Sequence, residues 1–220
     1  MNGRTLGVGI MLAGAVLSGS RVDAAQIDRP NLVVRVYMTS PAGSGEWKAT
    51  IREATAILDD AGVDLDWISC PASAAAIDTV PARCGQPLKS NEVTVRIIRA
   101  RALVYRGELP LGESLLDPAR RIGTLATIYA DRVEWLARSG GVSSSTVLAR
   151  AIAHEIGHLL LGTTAHSRRG LMRTVWSREE LMRARAVDWL FPAEDAARLQ
   201  EAFARRLTAP PESVIVWSTH

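Results

Sequence analysis

The stretch Ala153-His154-Glu155-Ile156-Gly157-His158-Leu159-Leu160-Leu161-Gly162-Thr163-Thr164-Ala165-His166 decides how the rest of the chain is read. Residues four apart share one face of an α-helix, so His154 and His158 point the same way and Glu155 stands beside them. The chain has only 4 histidines in 220 residues, and apart from the C-terminal His220 all of them fall in this stretch. Ser143–Thr146 offers N-caps for a long helix, and Gly162 offers its end, because glycine takes the left-handed conformation that turns the chain back. Leu148, Ile152, Ile156 and Leu159 form an apolar stripe. The pattern predicts a helix that buries this face in the core and turns both histidines toward a cleft.

These residue types suit one metal ion. A catalytic zinc takes three protein ligands and keeps one position open, and His154, His158 and His166 supply that number. A carboxylate next to the first ligand is placed to hydrogen-bond a water while facing away from the ligand direction, which suits a general base and makes Glu155 the catalytic candidate. Retention of Glu155 favours catalysis over a non-catalytic secreted zinc-binding or interaction domain, since metal binding alone does not require it. Hydrolysis of a non-peptide amide by a zinc amidohydrolase would use the same groups.

Upstream, Leu32–Met38 is rich in β-branched residues and ends at a Pro-Ala-Gly-Ser-Gly turn, which predicts a strand. Glu46–Ala61 carries Trp47, Ile51, Ala54, Ile57 and Leu58 at helical spacing before Gly62. Val63–Ile68 and Glu92–Ile98 alternate with period two, and Thr124–Tyr129 gives a further strand. The first half therefore reads β-α-β-β-β, with an irregular Gly/Pro-containing stretch before the last strand. Downstream, Asp131 is placed to cap a helix at Val133–Arg138, Ser177 one at Glu179–Leu190, and Pro192 opens a last helix through Leu207. Val214–Trp217 is a candidate short strand. The fold class is α+β: a mixed, mostly parallel twisted sheet with a backing helix and the histidine helix, followed by a small helical C-terminal subdomain.

Composition agrees with one globular domain. Apolar residues make up 47% and charged residues 22%, with a mean hydropathy of +0.07, which excludes a disordered tail or a polytopic transporter. The net charge is +3 and the excess base is not gathered into runs, so no nucleic-acid partner is implied. Residues 1–24 carry one early charge, Arg4, then an uncharged run too short to cross a bilayer and a small-residue site, the layout of a signal peptide cleaved after Ala24. An uncleaved anchor is the alternative. The expectation is a secreted or periplasmic monomer of residues 25–220, a single domain with subdomains 25–162 and 163–220, and no stable membrane span after cleavage. Cys70 and Cys84, the only cysteines, are then expected to form one disulfide.

The run His154-Glu155-x-x-His158-x-x-x-Gly162-x-x-x-His166, followed by Gly170-Leu171-Met172, resembles the metzincin clan of zinc peptidases. Their motif is H-E-x-x-H-x-x-G-x-x-H with a methionine-containing turn below the metal. Gly162 and His166 come one and two residues later here, which marks an outlying, metzincin-like group within the H-E-x-x-H zincins. The resemblance covers most of residues 31–175. It implies a zincin-like fold, a zinc endopeptidase, a peptide or protein substrate, Met172 as the turn methionine, and the strand Gly123–Ala130 as an edge that holds an extended peptide. It also leaves Glu179 or Glu180 as an alternative third ligand, as in the glutamate-ligand zincins, although their Asn-Glu-x-x-x-Asp signature is lacking. Arg173 and Trp176 follow the methionine and are placed either to line a specificity pocket or to join the core.

Overall fold

The strand β1 (Asn31–Met38) pairs on both sides within the sheet and is buried along Leu32–Val36, as its β-branched sequence requires. In the computed structural model, residues 31–39, 43–71, 81–99, 110–183 and 185–209 are described. The predicted signal peptide, the candidate strand Val214–Trp217 and His220 lie outside them. After β1 come α1 (Ser44–Asp60), β2 (Asp64–Pro71), a 3-10 turn at Ala82–Gly85, β3 (Glu92–Ile98), β4 (Gly112–Asp117) and β5 (Ile122–Tyr129). The second half holds α2 (Ala130–Gly140), α3 (Ser144–Leu161), α4 (Arg178–Arg183), a 3-10 turn at Ala186–Trp189 and α5 (Ala193–Thr208). No helix among the described residues is long and apolar enough to cross a membrane.

The sheet order is β2-β1-β3-β5-β4. Four strands are parallel, and β4 alone runs antiparallel, against β5. This is the expected α+β architecture with one strand more than the sequence suggested. The irregular stretch before Thr124 contains β4, which takes the edge of the sheet and leaves β5 inside it. The expected edge strand Gly123–Ala130 is therefore corrected: β5 pairs on both sides, with β3 and β4.

One face of the sheet, through Leu32, Val34, Val36, Val93, Val95, Ala126 and Ile128, packs into a single core with Ile57 and Leu58 of α1 and Ile152, Ile156 and Leu159 of α3. Truncating a residue such as Ile152, fully buried, to alanine would cost about 2–5 kcal/mol. The other face is closed near β1 by the Cys84–Asn91 segment. The Cys70–Cys84 disulfide forms, with Cα atoms 5.7 Å apart, and closing a loop of this size stabilises the fold by about 3 kcal/mol. Tyr37 donates its hydroxyl to the Cys84 carbonyl at 2.8 Å. Arg35 donates to the carbonyls of Gln86 and Pro87 and pairs with the buried Glu92, which also takes Arg83. Arg206 of α5 reaches under the same end to the carbonyls of Ser90, Gly123 and Glu92.

Two helix boundaries differ from expectation. α2 begins at Ala130, so Asp131 sits in its first turn rather than before it, where a carboxylate still favours the helix dipole. The helix expected over Glu179–Leu190 splits into α4 and the 3-10 turn, which seats Trp189 in the core.

Candidate metal centre

Helix α3 starts where its sequence says, with the Ser143 hydroxyl accepting from the Thr146 N–H at 3.1 Å. It is not the amphipathic helix expected. Every residue from Val147 to Leu161 is buried, because α3 touches the sheet at β3, β4 and β5 and also α1, α2 and α5. Its polar face, with His154, Glu155 and His158, is thus enclosed rather than solvated. Gly157 explains part of the enclosure. A Cβ there would lie 2.7 Å from Met172 Sδ and 2.9 Å from the Phe191 ring, so only glycine admits the Met172 segment against the helix between the two histidines. Met172 is fully buried in this position under the site.

The geometry of the two helical histidines calls for a cation. His154 Nδ1 lies 2.9 Å from the Leu171 carbonyl and His158 Nδ1 lies 2.8 Å from the Thr163 carbonyl. A carbonyl oxygen only accepts, so each Nδ1 carries the hydrogen and each Nε2 keeps a lone pair. Those two Nε2 atoms face each other across 3.1 Å. Two lone pairs at this distance repel, and a positive ion between them reverses the sign of the interaction. Protonation is the other remedy, but burial and then the neighbouring His158 hold His154 down to about 3, and burial lowers His158 too.

His166 completes the set. One potential ligand atom each from His154, His158 and His166 lies within 4.8 Å of the others, and among the described residues no other group of three or more side chains meets this condition. Ligand nitrogens of a tetrahedral zinc sit about 3.4 Å apart, so a small swing of the exposed His166 ring closes the set. The longer spacing of the motif is absorbed in two places. α3 continues to Leu161 before Gly162 turns the chain at φ 60°, and the Thr163 hydroxyl accepts from the Ala165 N–H at 3.1 Å to round the loop. On the far side the Ser167 N–H donates to the Met172 carbonyl and its hydroxyl to Asp195, both within 2.8 Å. Glu180 is engaged elsewhere: it caps α4 reciprocally with Ser177 and pairs with Arg173 at 3.4 Å. Glu179 is exposed on α4 and stands outside the cluster.

Glu155 is 6% exposed although it carries a carboxylate. Burial pushes its pKa up to about 7, Glu113 adds to the rise, and the Ser114 hydroxyl opposes it. Ser114 of β4 donates to Glu155 Oε2 at 2.7 Å. Gly112, at the start of the same strand, is as necessary: a Cβ there would lie 2.8 Å from Glu155 Oε1. Sequence reasoning missed both residues, because the strand that carries them was read as irregular. Trp176 packs edge-on against His154 at 5.7 Å and against the core residue Trp189 at 5.4 Å, partly buried against the core. Arg173 turns away from the histidines, to Glu180 and to the Asp188 carbonyl.

No family model matches the chain, and no curated protein matches it in sequence. In structure it is similar to archaemetzincin from Methanopyrus kandleri, with a TM-score of 0.52 over 80% of this chain and 97% of that one, at 12% identity. The fold is zincin-like. Metalloproteinase-II from Bacteroides fragilis is also similar, at 16% identity and a TM-score of 0.48, over 79% of this chain and 53% of that one. At 12% identity the likeness to archaemetzincin speaks for the zincin-like fold alone, and the chemistry rests on the residues themselves.

Proposed function

We propose that this chain is an exported, zinc-dependent peptidase, with His154, His158 and His166 holding one ion and Glu155 as general base. The observation that carries the reading is the pair of imidazole lone pairs facing each other at 3.1 Å, with the third imidazole beside them and a buried carboxyl group on the adjacent residue. When bound, zinc polarises a carbonyl and makes a water acidic. Glu155 takes the proton from the attacking water and passes it to the leaving nitrogen, and a carboxyl near pH 7 is suited to both transfers. Ser114 fixes the carboxylate by holding Oε2. The Leu171 and Thr163 carbonyls orient the two helical imidazoles, and Met172 supports them from below.

A peptide is favoured as substrate because β4 borders the site and pairs only with β5 among the described residues. Its outer edge offers main-chain hydrogen bonds to an extended chain. Residues 1–24 direct export, and the Cys70–Cys84 disulfide suits the oxidising compartment reached. Zinc analysis and cleavage of an unfolded protein test the reading together. Wild type and Glu155→Gln bind one zinc per chain, Glu155→Gln loses activity by about 10²–10⁴-fold, and His166→Ala loses the metal. Full zinc retention without His166 moves the third ligand elsewhere, and a zinc-loaded wild type that cleaves no peptide overturns the peptidase.

A further inference from the structure

A cavity of about 550 Å³ is lined by Ser114, Leu115 and Leu116 of β4, by Arg121, and by Thr163 and Thr164 in the loop after α3. Two of these residues tie it to the site. The Ser114 hydroxyl holds Glu155, and the Thr163 carbonyl holds His158 Nδ1 at 2.8 Å. A substrate lying along β4 to reach Glu155 therefore passes over this cavity.

Arg121 is the one charged residue among those lining it. Its backbone is fixed in an unusual state: φ is 53°, the only positive value outside glycine among the described residues. Arg121 is the last residue of the four-residue turn between β4 and β5, and the turn packs against the end of α3, where a Cβ on Gly162 would fall 2.0 Å from the Arg121 carbonyl oxygen. The neighbouring Arg120 pairs with Asp117 at 3.5 Å, whereas among the described residues no carboxylate pairs with Arg121. An exposed guanidinium without a carboxylate partner, in a cavity that two threonines and two leucines also line, suits a carboxylate on a short aliphatic stem.

We propose that this cavity is a substrate subsite for an acidic residue, an aspartate or glutamate side chain whose carboxylate is held by Arg121. The proposal rests on the peptidase reading. Arg121 is a specificity residue that leaves the chemistry to the histidines and Glu155.

The test uses the zinc-loaded full chain on a mixed peptide pool. Wild type enriches Asp or Glu at one fixed position from the scissile bond. Arg121→Asn, which tolerates the left-handed backbone, lowers the acidic-over-neutral ratio about tenfold. Arg121→Lys retains the preference, and Arg121→Glu turns it toward Lys and Arg. A cleavage profile unchanged between wild type and Arg121→Glu overturns the subsite. A second arm needs no turnover: a fluorescein-labelled Glu-containing peptide binds Glu155→Gln about tenfold more weakly once Arg121→Glu is added, whereas its Gln-containing counterpart does not weaken. Equal loss for both peptides overturns the proposal. If no peptide is cleaved, the peptidase reading fails and the binding arm still decides the cavity.

Discussion

Glu92 and Glu155 are both buried against the same sheet, at opposite ends of its strands, and their carboxyl groups are driven in opposite directions. Burial acts on Glu92 to raise its pKa, but the Lys89 N–H and the guanidiniums of Arg83 and Arg35 outweigh it and hold the carboxyl below the usual range. Glu155 has one hydroxyl partner and a second acid nearby, so burial wins and the group rises to about 7. The same contrast runs through the neighbours. At the Glu92 end, the terminal nitrogens of Arg35 and all three nitrogens of Arg206 meet carbonyls or a carboxylate, and Arg35 Nε is left without a partner among the described residues. At the Glu155 end, two imidazole lone pairs face each other. One cluster closes on itself and staples β1, β3, β5 and α5, while the other is left electrostatically incomplete, which is how a buried polar group is kept reactive.

Of the two clusters, the one at Glu92 should give the larger stability loss when it is broken. Glu92→Ala leaves the Arg35 charge buried and unpaired, and it should lower the free energy of unfolding by about 3–5 kcal/mol in urea titrations, with or without metal. A loss below about 1 kcal/mol would place the two clusters in the same class. The next largest effect belongs to the other end and has the opposite sign. Zinc at 100 times its dissociation constant should stabilise wild type by about 2.7 kcal/mol. His158→Ala should gain nothing, and a similar gain in that variant would put the ion elsewhere.

The chemical end was the more legible of the two in sequence, because its spacing is local. His154, Glu155 and His158 lie within one helix turn, Gly162 ends that helix at a left-handed residue, and Met172 returns beneath it. Glu92 and Arg35 meet across 57 positions and no local pattern pairs them. β4 escaped notice because Gly112–Asp117 has a single apolar pair, Leu115-Leu116, interrupted by a register shift at that point, and Leu115 is 44% exposed. Ser114 and Gly112 went with it, although they set the environment of Glu155. The enclosure of α3 was misjudged for a related reason: a helix with His, Glu and Arg among its polar side chains reads as half-solvated, and only the return of Leu171, Trp176 and Trp189 and the approach of β4 show that these side chains are covered too.

A smaller effect probes the seam between helix end and cavity. Gly162→Ala imposes a left-handed alanine and a clash with the Arg121 carbonyl, and should cost about 2 kcal/mol while weakening zinc binding through the His158–Thr163 contact. Gly162→Asn separates the two causes. Asparagine tolerates the backbone but keeps the Cβ, so an equal cost assigns the penalty to the clash.

The smallest effect is a slope with pH, read on metal-free protein in chelator. Glu155 titrates near 7 when folded against 4.5 ordinarily, so between these values the folded state holds the extra proton and stability falls as pH rises. His154 titrates near 3 against 6.5, so the unfolded state holds the extra proton and stability falls as pH drops through that window. Between about pH 4.5 and 6.5 the two slopes oppose each other, while His158 and His166, also lowered by burial, act in the direction of His154. Glu155→Gln removes the opposing slope. On acidification from pH 6.5 to 5.5 that variant should lose about 1 kcal/mol more than wild type in urea midpoints. Glu92→Gln should act the other way, and at lower pH, on acidification below about 4.5. The lowered carboxyl of Glu92 contributes stability that is lost as pH falls toward its folded value, so removing it makes the protein less sensitive to acid. Two glutamine variants that bend the pH curve in the same direction would erase the distinction between the clusters.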